Sequence, residues 1–145
     1  MTARNTILIV VADGAHARFV QPAENRALHT IESFDALSAR QRTSDLGDDA
    51  PGATYHTGST ARHALAPRHD RHRLEMDAFS QFVARQINEW DHAYDRLLVI
   101  APAHRNAEIV SHLKPESRTK IIGIIDKDLT GVPDDALGDH IDHVI

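Results

Sequence analysis

The stretch from Ile7 to Gln21, ILIVVADGAHARFVQ, limits the folds open to this chain more than any other. An unbroken apolar run is followed by an Asp-Gly pair and then by an alternating segment. Asp-Gly between two extended runs is the strongest short-range hairpin signal, because a type I′ turn needs positive φ at both central residues. The reading puts Asp13 and Gly14 at the tip of a hairpin whose first strand, Ile7–Ala12, is buried. On the second strand Ala17 and Phe19 oppose His16, Arg18 and Val20. His16 and Arg18 are read as exposed surface residues, the alternative being that they line the helix-covered face beside a site.

Two further apolar runs, Leu97–Ala101 and Ile121–Ile125, are rich in Ile, Leu and Val without alternation. Such runs are expected of strands covered on both faces in a partly parallel sheet. After a turn over Pro22–Arg26, Leu28–Phe34 is expected to be a third strand parallel to the first. Phe79, Phe82, Val83, Ile87 and Trp90 follow i, i+3, i+4 spacing and predict an amphipathic helix from about Asp70, with Arg85 and Glu89 pointing elsewhere. Pro102 is expected to begin a second helix, in which Ile109, Val110 and Leu113 face the sheet and which Pro115 limits. Pro133, Asp134 and Asp135 suit the start of a third, with Leu137 and Ile141 buried.

Between strands and helices lies a segment with no apolar periodicity, from Ser38 to about Arg73, punctuated by Gly47, Pro51, Gly52, Gly58 and Pro67. It is read as a long basic loop at about 38–73, and structureless loops beyond ~12–15 residues are usually functional or disordered. The order is then β-β-β-(long loop)-α-β-α-β-α. It predicts an α/β fold in a single domain spanning 1–145. Its sheet is mixed and five-stranded, ordered 3-2-1-4-5 with strand 2 antiparallel and helices flanking it, a ribonuclease H-like arrangement.

Composition closes several routes. The 145 residues suffice for one domain with a real core. Without cysteine there is neither a disulfide framework nor a thiolate nucleophile or ligand. A net charge of −5 argues against protein-wide attraction to nucleic acid or anionic lipid, while leaving room for a local basic patch. The apolar run after Arg4 is too short for a secretory signal, and no stretch has the length of a membrane span, so the expected location is cytoplasmic with no membrane partner.

The ADGAHARF hairpin (Ala12–Phe19), LLVIAPAHRNAEIVSHL (Leu97–Leu113), KDLT (Lys127–Thr130) and the central PGATYHTGSTARHALAPRHDRHRLEMDAF (Pro51–Phe79) together resemble the bacterial host attachment protein family. The resemblance covers nearly the whole chain and rests on the order and spacing of these segments. Ala53 departs from it, since a basic residue often follows the Pro-Gly of this loop. The family is similar in fold to the middle domain of archaeal and eukaryotic peptide-chain release factors, which implies a role on ribosomes or RNA. That domain works through a Gly-Gly-Gln tip in the segment corresponding to Ser38–Arg73. This chain has no Gly-Gly-Gln, so the resemblance extends to the scaffold and not to that reaction.

Ligand sites in open α/β sheets lie outside the carboxyl ends of the strands. Asp13–Gly14, Ala101 with His104 and Arg105, and Asp126–Asp128 are expected at one such edge, with Glu75 and Asp77 emerging nearby. Two-metal phosphodiester chemistry wants ions ~3.5–4 Å apart. Asp13 and Asp126 sit on strands roughly 10 Å apart, and the intervening strand ends in Ala101-Pro102 with no third carboxylate. His63, His69 and His72 are tempting as zinc ligands. They lie among arginines that repel a cation, and the reading taken is a solvated loop. Arg62, Arg68, Arg71 and Arg73 form a basic patch, which either tracks phosphates or keeps a loop soluble.

The leading expectation is a non-enzymatic RNA- or ribosome-associated binding domain with ribosomes or tRNA as partners. Its ligand-binding residues would be Asp13, Gly14, Arg18, Arg62, His63, Arg68, Arg71, Arg73, Lys127 and Asp128. No catalytic residue, metal or cofactor is assigned. The alternatives are a hydrolase, nuclease-like or peptidyl-tRNA hydrolase-like, at the Asp13 strand edge, or a homodimer or protein-interaction module using the strand-three edge or the long loop.

Overall fold

The computed structural model describes residues 6–46 and 68–145. Its sheet has strands β1 (Ile7–Ala12), β2 (His16–Pro22), β3 (Leu28–Asp35), β4 (Arg96–Ala101) and β5 (Ile121–Asp126). The order is β3-β2-β1-β4-β5, with β2 antiparallel to both neighbours and β4 parallel to β1 and β5. The helices are α1 (Ala36–Leu46), α2 (Arg68–Glu89), α3 (Ala103–Ser111), the single turn α4 (Pro115–Arg118) and α5 (Asp134–Ile141). The α/β single-domain architecture and strand order are those expected from the sequence.

The sheet carries a core on each face because β1 is apolar at every position and β4 at every position after Arg96. Leu8, Val10, Phe19, Phe34, Leu97 and Val99 meet Phe79, Phe82, Val83 and Ile87 of α2 and Ile109 of α3. Phe19 lies edge-on to Phe34 and to Trp90, each at 5.2 Å between ring centroids, a favoured aromatic geometry. On the other face Ile9, Val11, Val20, Leu98 and Ile100 are closed off by Leu129 and by Leu137 and Ile141 of α5.

Three expectations need correction. The β1–β2 connection is not type I′: among the described residues only Arg26 (φ 70) has positive φ, and no described glycine does. Asp13 closes a longer turn itself, its Oδ1 accepting the N–H groups of Ala15 at 2.8 Å and His16 at 2.7 Å, so a left-handed pair is unnecessary. Gly14 packs on α2 instead: a β-carbon there would lie 2.5 Å from the Met76 sulfur and push that flexible side chain aside.

The segment read as a loop at 38–73 is helical at both described ends. Ser38 lies inside α1, which is started by a reciprocal cap: Asp35 Oδ1 accepts the Ser38 N–H at 2.7 Å and Ser38 Oγ accepts the Asp35 N–H at 3.1 Å. α2 begins at Arg68, ahead of the expected start. The stretch 47–67 lies outside the described residues.

β5 is not covered on both faces. It is an edge strand with a register irregularity opposite Leu97–Leu98, and Ile122 and Ile124 are 38 % and 47 % exposed. An apolar run such as Ile121–Ile125 reads alike whether a strand is central or marginal; what differs is whether another element packs beyond it.

Candidate functional site

The carboxyl ends of β1, β4 and β5 share one rim. Asn106 of α3 ties two of them, its amide nitrogen lying 2.8 Å from the Ala101 carbonyl, 2.9 Å from the Ile125 carbonyl and 2.8 Å from Asp126 Oδ1. Thr130, on the loop after β5, reaches Asp13 Oδ2 at 3.2 Å and Asp128 Oδ1 at 2.6 Å. The hairpin tip meets α2 through Gly14 and Met76, so the first turns of α2 emerge on this rim too.

Two clefts open here, each of about 770 Å³. The first lies among Asp13, His16, Arg18, Asp35, Ser38 and Thr130. Its polar groups are already engaged. Asp13 holds the hairpin with one oxygen and accepts from Thr130 with the other, and Asp35 caps α1. The Ser38 backbone N–H, then the Ser38 hydroxyl, holds the Asp35 carboxyl below its ordinary pKa, with a smaller contribution from His16. Arg18 is not an exposed surface residue. Its Nε lies 3.1 Å from Asp134 Oδ1, Nη1 donates to the Thr130 carbonyl at 2.9 Å, and Nη2 donates to the Val132 carbonyl. Its guanidinium is therefore a strut between β2 and α5, which removes Arg18 from the set of free ligand-binding cations.

The second cleft lies between the hairpin tip, α1 and α2. Met76, Phe79 and Phe82 form its apolar floor, and Arg40, His72, Glu75 and Arg85 stand around it. Arg40 meets Glu75 at 3.3 Å, both exposed, so this pair is well solvated. Arg71 and Arg73 are exposed on the opening turns of α2 and form no ion pair with a described residue. Arg68 opens that helix, whereas Arg62 and His63 lie outside the described residues. Lys127 and Asp128 are exposed beyond β5, and Asp128 is turned onto Thr130. Among the described residues no three His, Asp or Glu side chains are grouped to hold a metal ion.

Reasoning from sequence missed Arg40, which lay inside the presumed loop, and gave Arg85 no role because it pointed away from the apolar stripe. The signal for both was available only once α1 existed: two antiparallel or parallel helices flanking a cleft present their outward arginines together. Family comparison adds one finding. The model of the family described as "Protein required for attachment to host cells" matches residues 8–141, nearly the full chain. The chain belongs to the host attachment family. No curated protein matches it. For this host attachment family member, no described helix is long and apolar enough to cross a membrane.

Proposed function

We propose that this host attachment family member is a non-enzymatic binding domain for RNA, free or within ribosomes, and that the α1–α2 side of the rim is its contact surface. One observation carries the reading: in a chain of net charge −5, Arg40 and Arg85 line one cleft between two adjacent helices, and Arg71 and Arg73 are exposed on the opening turns of the second. Arg71 also lies in the first turn of α2, where a cation is disfavoured by the helix dipole. A phosphate at that end would meet the arginine at the positive end of the helix dipole. Lys127 is exposed on the same rim between Asp126 and Asp128, and Asp13 and Gly14 set the hairpin against α2.

The hydrolase alternative lacks comparable support, since both oxygens of Asp13 are occupied within the fold. Filter binding of the purified chain to tRNA and to ribosomes, across a salt series, tests the proposal. Binding is expected to weaken steeply with salt, and Arg71→Ala with Arg73→Ala should lower the log–log slope by about 1–2, since each lost phosphate contact removes roughly 0.7–0.9. Absence of binding at low salt, or a slope unmoved by the double variant, rejects it.

A further inference from the structure

The cleft between α1 and α2 joins two chemistries, of which a phosphate uses only one. Its floor is apolar, lined by Ala36 and Ala39 of α1 and by Met76, Ala78 and Phe79 of α2. At about 770 Å³ it falls within the roughly 300–1,000 Å³ of a ligand site. A phosphate gains nothing from such a floor, since setting charge against apolar carbon costs free energy. Arg85 stands at the wall, its guanidinium 6.0 Å from the centre of the Phe82 ring. That ring is buried, so the guanidinium plane and the half-buried Met76 thioether are the surfaces left for a ligand. Both suit a flat π-system. Arg73 and Arg71 come three and five residues before Met76, ~4.5 and ~7.5 Å along the helix axis, and both are exposed.

Resting on the RNA reading, we propose that the α1–α2 cleft takes one unpaired nucleobase, so that the ligand is single-stranded or looped RNA and not duplex. A nucleotide carries a flat, apolar-faced ring a short covalent distance from a phosphate. Met76 and Arg85 offer the matching surface for the ring, and Arg71 and Arg73 the matching charge for the phosphate. In a duplex the bases stack on one another and their faces are closed, so nothing on its exterior fills an apolar cleft. Unpaired bases splay out and stack on arginine planes. Glu75 does not set the cleft against an anion, because Arg40 stands 3.3 Å from it at the mouth. Helix α2 is thus divided along its length, with its opening turns for the backbone and the turns from Met76 to Arg85 for the base.

Fluorescence anisotropy at low salt compares three labelled RNAs of one length: a single strand, the same strand with abasic residues, and its blunt duplex. Charge alone favours the duplex, whose counterion release per phosphate is the larger, ~0.9 against ~0.7. The intact strand is nevertheless expected to bind more tightly than the duplex. It should also exceed the abasic strand by roughly 5- to 150-fold, the range for one stacked base. Ala78→Leu fills the cleft from an exposed position, and Arg85→Lys keeps the charge but loses the plane. Each should remove most of the preference for the intact strand over the abasic one. Equal affinity for those two strands overturns the base site and leaves the RNA reading standing, whereas no binding to any of the three removes both. A preference unmoved by the two variants also overturns it. Should a variant unfold by circular dichroism, photocrosslinking of a 4-thiouridine strand to the wild type decides. Adducts within residues 72–85 sustain the site, and adducts confined elsewhere refute it.

Discussion

Arg18 joins parts of the chain that sequence places far apart, its partners lying 112 to 116 residues away. With 16 % of its side chain exposed, it is desolvated enough for these bonds to matter. Arg18→Ala should leave Asp134 and two carbonyls short of a donor and lower stability by about 2 kcal/mol, in the range of a hydrogen bond to a charged group. Arg18→Lys should recover only part, because an ammonium cannot reproduce the planar fork. Denaturant midpoints check both. No sequence signal announces this strut: alternation along β2 places Arg18 opposite Phe19, and only the course of the β5–α5 loop converts that face into an interior one. Asp35 supports a pH prediction. Its folded pKa is lowered by Ser38, so the cap contributes fully above the unfolded value and is lost as pH falls through the folded one. The α1 helical signal should therefore weaken only below about pH 4. In Asp35→Asn, amide resonances of α1 should show no such titration.

Among the elements, β1 and β4 were legible because their unbroken apolar runs, Ile7–Ala12 and Leu97–Ala101, leave no polar face to turn outward. α2 was legible through its aromatic spacing. α1 was not, for ALSARQRTSDL holds too few apolar residues to form a stripe, and its start depends on a two-residue cap rather than on periodicity. β5 was found but misjudged, since isoleucines alone do not report an edge. Its glycine is explained by the C-terminal residues: a β-carbon at Gly123 would lie 2.7 Å from Val144 Cγ1 and 3.2 Å from Leu98 Cδ1. Gly123→Ala should destabilise by about 1–3 kcal/mol through overpacking. Adding Val144→Ala should return part of that loss, and thermal unfolding of the single and double variants measures the coupling.

Across the whole molecule, the exposed arginines stand on α1 and α2, away from the β5 edge of the sheet. Because β1, β4 and β5 run parallel, their carboxyl ends share one rim, and this part of the site followed from strand order alone. The identity of the free cations did not, because it depends on which arginines the fold consumes. Arg18 is spent internally, whereas Arg71 and Arg73 are left to solvent.

The Met76–Gly14 contact has a mechanical consequence. Because the Met76 side chain packs directly on Gly14, a shift of the opening turns of α2 toward the β1–β2 tip presses on that tip. A load applied to the arginine-bearing end of the helix is thus delivered directly to the turn that Asp13 closes, and through Thr130 to the far loop.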